Sequence, residues 1–147
     1  MTKRNWLIST LFASILAIPL AYAADAGSPR KNYMLHCSGC HGADGSGSPS
    51  SGIPDMRGTL GHFFKAQDGR QFLIQVPGTS HSNLSDAEVA ELANWLLKSF
   101  SKNEVPPGTP PYTAGEVTSL RAQPLADVAA RRAEIVARLR AQGIVID

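Results

Sequence analysis

The sequence predicts an all-α fold that continues into a helical C-terminal extension. Three observations carry this. Ser85-Asp86-Ala87-Glu88 is a capping box, S-x-x-E, followed by Val89, Leu92, Leu96 and Phe100 at three- and four-residue steps. Thr113-Ala114-Gly115-Glu116 repeats the box, and a later run places Leu125, Val128, Ile135, Val136 and Leu139 on one stripe among Arg131, Arg132, Arg138 and Arg140. No segment alternates apolar and polar residues as a half-buried strand would, and there is no internal repeat.

The elements follow in order. Lys3 and Arg4 precede an apolar stretch from Trp6 to Leu20, and Ala21-Tyr22-Ala23 forms an A-x-A site. Residues 1–23 read as a cleavable secretory signal peptide, cut before Ala24. The alternative, an uncleaved anchor, asks a short stretch to span a bilayer. Without Lys3 and Arg4 the chain keeps twelve basic residues against twelve acidic ones. That balance gives no reason to expect nucleic acid as a partner, and no second long apolar run offers a membrane span.

Ser28-Pro29 is a hydroxyl cap followed by proline at the first helical position, predicting a helix from about Pro29 to Cys37. Residues 42–58 are rich in Gly, Ser, Pro and Asp and read as a loop. Short helices are expected within His62–Val76, then a break at Pro77-Gly78. The capped helix after Ser85 should end near Ser101. Val105 to Pro111 is a stiff Pro-rich connector. A short helix after Thr113 should be disrupted by Pro124, and a last helix should run from Leu125 to about Gln142, stopped by Gly143. The predicted organisation is a main domain over 24–103, a connector over 104–112 and the extension over 113–147.

The chemistry concentrates at Cys37-Ser38-Gly39-Cys40-His41. C-x-x-C-H is the attachment signature of c-type haem: each thiol adds to a porphyrin vinyl group and the adjacent imidazole turns to the iron. The pattern C-x-x-C also occurs in redox pairs and zinc sites. Zinc would need two more ligands, yet these are the only cysteines, and His36, His62 and His81 show no H-x₃₋₅-H spacing among themselves. A redox pair does not need the histidine and usually sits in a βαβ context absent here. Covalent haem is attached on the exported side of a membrane, so the leader and the motif support each other and place the protein in a bacterial periplasm.

With these residues the chain resembles the class I c-type cytochromes over about Ser28 to Ser101. Gly42 and Gly45, Gly52-Ile53-Pro54-Asp55-Met56-Arg57-Gly58 and the Ser85 helix share in the resemblance. It implies a cytochrome c fold, with helices packed around one covalently bound haem c. It also implies an aromatic contact between the first and last helices of the domain, with Tyr33 and Trp95 in the matching places. Cys37 and Cys40 would form the thioether links, and His41 would be the proximal axial ligand. Pro54 would accept the His41 Nδ1–H through its carbonyl, Met56 would be an apolar haem contact, and His62 would lie near a propionate.

The chain departs from the family at the sixth ligand. The loop before the Ser85 helix reads Val76-Pro77-Gly78-Thr79-Ser80-His81-Ser82-Asn83-Leu84 and has no methionine. His81 is the strongest donor there and the first distal candidate. Met56 is the alternative and His62 is weaker; a position with no protein ligand stays open. The resulting expectation is a periplasmic electron carrier, not an enzyme, serving redox partner proteins such as a dehydrogenase, oxidase or reductase. Two alternatives remain: a haem protein with an open sixth position, suited to ligand binding or peroxidase-like chemistry, and an acceptor subunit docked to a dehydrogenase through residues 113–147. The stripe of the last helix would otherwise pack back on the main body.

Overall fold

A computed structural model describes residues 27–146, and the predicted leader, residues 1–23, lies outside them. The described residues form seven α-helices and two 3₁₀ turns, and their only β feature is an isolated bridge between Ser48 and Ile53. In α1 (Pro29–His36) the Ser28 hydroxyl accepts the Lys31 N–H at 3.3 Å, with Pro29 at the start. The helix stops one residue earlier than expected. Cys37 leaves helical geometry and caps a separate single turn, α2 (Ser38–His41), closed by Gly42 at φ +74°.

After the loop come a 3₁₀ segment (Leu60–Lys65), α3 (Gly69–Gln75) and α4 (Pro77–Ser80). Pro77 ends α3 as expected but also opens α4, because its fixed φ suits a first helical turn. The capping box of α5 (Asp86–Phe100) is complete: Ser85 Oγ accepts the Glu88 N–H at 3.3 Å and Glu88 Oε2 accepts the Ser85 N–H at 2.9 Å.

In α6 (Ala114–Arg121) the Thr113 hydroxyl accepts the Glu116 N–H at 3.3 Å, while the Glu116 carboxylate takes two hydrogen bonds from Arg70. The last helix, α7 (Val128–Ala141), opens later than the expected Leu125. Asp127 supplies the capping oxygen, at 2.9 Å from the Ala130 N–H, and the residues directly after Pro124 stay outside the helix. At its end the Ile144 N–H reaches the Leu139 carbonyl at 3.0 Å and the Gly143 N–H reaches the Arg140 carbonyl at 2.9 Å, with Gly143 at φ +78°. This is a Schellman ending, which needs a residue tolerant of positive φ.

Two apolar clusters organise the packing. The first joins Tyr33, Met56, Ile74, Leu84, Val89, Leu92, Tyr112 and Val117, and Cys37 packs against its edge. Tyr33 is fully buried, with its ring 5.6 Å from Trp95 and 5.4 Å from Phe100, so the expected aromatic contact between α1 and α5 is present and Phe100 adds a third ring. The second cluster joins Phe63, Phe72, Ile135, Leu139 and Ile146. Ile135 and Leu139 are fully buried, so the stripe of α7 is spent on the chain's own body. Each such side chain stabilises by about 1.5–3 kcal/mol.

The Pro-rich connector ends on Tyr112, which is buried and doubly tied to α5. Its N–H donates to Asn94 Oδ1 at 2.8 Å, and Asn94 Nδ2 donates to its carbonyl at 3.0 Å. The Tyr112 hydroxyl donates to the Arg70 carbonyl at 2.8 Å. Burial pushes the phenol well above its ordinary pKa, so it stays a donor.

Candidate haem site

The two thiols and the imidazole of the motif share one turn of chain. The Cys37 carbonyl accepts the Cys40 N–H at 3.2 Å and the His41 N–H at 3.0 Å, fixing the three residues relative to one another. Both cysteines are unbonded; Cys37 is half-buried and Cys40 exposed. Burial, then the neighbouring Cys40, pushes the Cys37 thiol above its ordinary pKa. The turn is anchored from α1, where the Tyr33 hydroxyl donates to the Gly42 carbonyl.

His41 is half-buried, and burial lowers its pKa, favouring the neutral imidazole that can ligate a metal. Its Nδ1 is buried with no hydrogen-bond partner among the described residues. The expected bond from that nitrogen to the Pro54 carbonyl is therefore not made here. The backbone nonetheless brings the two segments together. The His41 carbonyl accepts the Gly47 N–H at 2.9 Å, and Gly47, at φ +68°, lies so close that a Cβ would stand 2.5 Å from the Ile53 and Pro54 carbonyl oxygens. Pro54 is thus beside the motif's loop, with its carbonyl turned on Gly47 instead.

The remaining candidates are dispersed. Met56 is buried within the first cluster, and its N–H donates to the Gly45 carbonyl at 2.9 Å. His81 caps the end of α4 and is exposed; its ring makes no hydrogen bond or ion pair with the described residues. His62 Nδ1 lies 3.2 Å from the Lys65 ammonium, and burial and that charge lower its pKa. His36 is exposed.

Sequence reasoning missed two groups around the site. Arg57 ties the loop together, reaching Asp55 at 2.7 Å and Asp44 at 2.9 Å. Arg121, in the last turn of α6, reaches the loop that carries His81. Arg57 has a near partner in Asp55, two residues before it, and a more distant one in Asp44, whereas the partners of Arg121 all lie 35 or more positions away and are set by folding.

The donor set fits covalent haem. Two free thiols three positions apart face one turn, with a half-buried imidazole beside them whose second nitrogen is unspent. No cluster of three or more His, Cys, Asp or Glu side chains able to hold a bare metal ion occurs among the described residues. An all-helical body with this turn defines a c-type cytochrome.

Comparison with known proteins agrees. Residues 24–96 match the family described as "Cytochrome C oxidase, cbb3-type, subunit III". The chain is 30% identical over 134 residues to a cytochrome c-552 of Thermus thermophilus, covering 79% of this chain and 88% of that protein. A second cytochrome c-552 from Thermus thermophilus is 29% identical over 107 residues, covering 60% and 81%. The chain belongs to the class I c-type cytochromes and is a carrier of haem c and its iron.

Proposed function

We propose that the protein is an exported, periplasmic electron carrier holding one haem c through Cys37 and Cys40, with His41 as proximal ligand and His81 as distal ligand. The observation that carries this is the single turn that sets two unbonded thiols beside an imidazole with an unspent Nδ1. When bound, the haem supplies a one-electron ferrous–ferric couple.

The chain's own residues do the rest. Cys37 sits against apolar side chains that exclude water, while Cys40 stays at the surface where a partner can approach. Tyr33 and Gly47 hold the turn from either side. Pro54, whose carbonyl lies one glycine away from the His41 backbone, is the residue to orient His41 once the ring is engaged. His81 has an unspent ring on the loop before α5, whereas Met56 already fills the core. Small transient contacts with dehydrogenase, oxidase or reductase partners suit this task.

The test is to express the full chain, with its leader, in a host that matures c-type cytochromes. Pigment should survive acid–acetone extraction, vanish in the Cys37→Ala/Cys40→Ala variant and titrate as a single one-electron couple. The exported protein should begin at Ala24 by mass spectrometry. Pigment lost to the solvent from the unaltered chain overturns the proposal.

The exposure of His81 favours a second reading, in which the sixth position stays open. Stoichiometric carbon monoxide binding to reduced protein within the mixing time would select it.

A further inference from the structure

One side chain of the extension grips the loop that carries His81. Arg121, at the end of α6, donates from Nε to the Ser80 carbonyl at 2.9 Å, from Nη2 to the Ser82 carbonyl at 2.6 Å and from Nη1 to the Leu84 carbonyl at 2.9 Å. Nη1 also meets Asp86 Oδ1 at 2.7 Å, and the Thr118 hydroxyl holds the other oxygen of Asp86 at 2.5 Å. The guanidinium is thus aimed by an acidic residue of α5 and a hydroxyl of α6. Its side chain is 19% exposed, so these bonds are sheltered from much of the competing water.

We infer that Arg121 is a positioning residue for the sixth side of the iron, fixing Ser80–Leu84 through three backbone carbonyls and so governing how readily that segment yields to an outside ligand. The inference rests on the reading that this loop stands over the iron opposite His41.

Three features of the loop make the grip decisive. Alternate carbonyls from residues 80, 82 and 84 converge on one planar group, an arrangement only a fork of five donors can satisfy; an ammonium is a single point. Of the side chains in the segment, Ser82 adds one local bond, from its Oγ to the Thr79 carbonyl at 2.9 Å. The His81 ring is exposed with no hydrogen bond to the described residues, and the Ser80 hydroxyl is buried without a partner among them. The far end of the segment leads into the core: Leu84 is buried in the cluster against which Cys37 packs. A shift of the segment is therefore felt beside the attachment turn.

The test compares full-length holoprotein carrying Arg121→Gln or Arg121→Lys with the unaltered chain. Two quantities are read: amide hydrogen exchange of residues 80–84 and the rate of cyanide binding to the ferric form. In Arg121→Gln both should rise, the cyanide rate about tenfold, the equivalent of losing about 1.4 kcal/mol of loop restraint. Arg121→Lys, which keeps the charge, should fall between and serves if the glutamine variant does not fold. Ile135→Val, in the second cluster, should lower the melting temperature while moving neither quantity. Unchanged exchange in the Arg121 variants rejects the grip. Faster exchange with a cyanide rate within about twofold of the unaltered chain rejects the loop's place over the iron, and the inference with it. An equal effect from Ile135→Val reduces Arg121 to a general stabiliser, and an unaltered chain without covalent haem removes the earlier reading together with this one.

Discussion

The Arg70 guanidinium lies 4.1 Å from the centre of the Tyr112 ring and donates through Nε and Nη2 to both oxygens of Glu116, at 2.5 and 2.7 Å. The same group donates to the Pro110 carbonyl at 2.9 Å. One residue of α3 thus fastens the connector, the buried tyrosine and α6. A bidentate pair stacked on an aromatic face is a role lysine cannot fill.

This arrangement sets an acid dependence. Arg70 holds the Glu116 carboxyl below its ordinary value of 4.5. A depressed folded-state value means the contribution is complete above the unfolded carboxylate range. It is lost as pH falls below about 4.5 through the lower folded value. Glu116→Gln should cost about 1 kcal/mol near pH 7, reduced by partial exposure, and should flatten that part of the acid limb. Urea melts at pH 7 and pH 3 read both effects; an unchanged difference between the two pH values refutes the assignment.

Gly47→Ala should injure the attachment turn. Its φ of +68° is strained for alanine, and the new Cβ would stand 2.5 Å from two carbonyl oxygens. Left-handed geometry alone costs about 1–2 kcal/mol, and relieving the clash must shift Pro54 or His41. The expected outcome is a lower melting temperature and a reduced yield of covalent haem. Gly52→Ala, also at positive φ but with open space around its Cβ, should cost stability with normal haem content.

Met56→Leu should be nearly silent. The side chain is buried among apolar neighbours, and a swap that conserves volume costs less than about 1.5 kcal/mol. The oxidised holoprotein should lack the weak near-infrared band of sulfur-to-iron charge transfer. If that band is present and disappears in Met56→Leu, methionine and not His81 completes the iron.

Ile135→Ala should cost about 2–5 kcal/mol, the range for truncating a fully buried side chain. Deleting residues 113–147 would also remove Val117 and Leu139, both fully buried, and expose Phe63 and Phe72. The truncated chain should therefore melt well below the full one. Calorimetry decides: an unchanged melting temperature with lost electron transfer would make the extension a docking element.

Features governed by neighbours in sequence were legible in the residues. The Ser28 and Ser85 caps act on N–H groups three residues ahead, so spacing alone exposes them. The Tyr33–Trp95 contact followed from the resemblance and is present. The start of α7 was misplaced because the apolar stripe reaches back to Leu125, whereas the capping oxygen belongs to Asp127. Arg70 and Arg121 could not be read at all. Their partners lie 35 to 46 positions away, and surface arginines on a helix look alike until the chain has folded. The same limit applies to His41: its burial and unspent Nδ1 appear only in three dimensions.

The second apolar cluster closes through residues far apart in the chain, as the Gln142 side chain meeting the Lys65 carbonyl 77 positions away illustrates. Contacts of such long separation form late, after a large loop has been drawn in. Because a chain is made from its N-terminus, the cysteine turn emerges well before the helix that completes the body. A maturation enzyme acting on the emerging chain would meet the thiols while the final brace is still missing, and closure by the extension would then lock the body after pigment attachment.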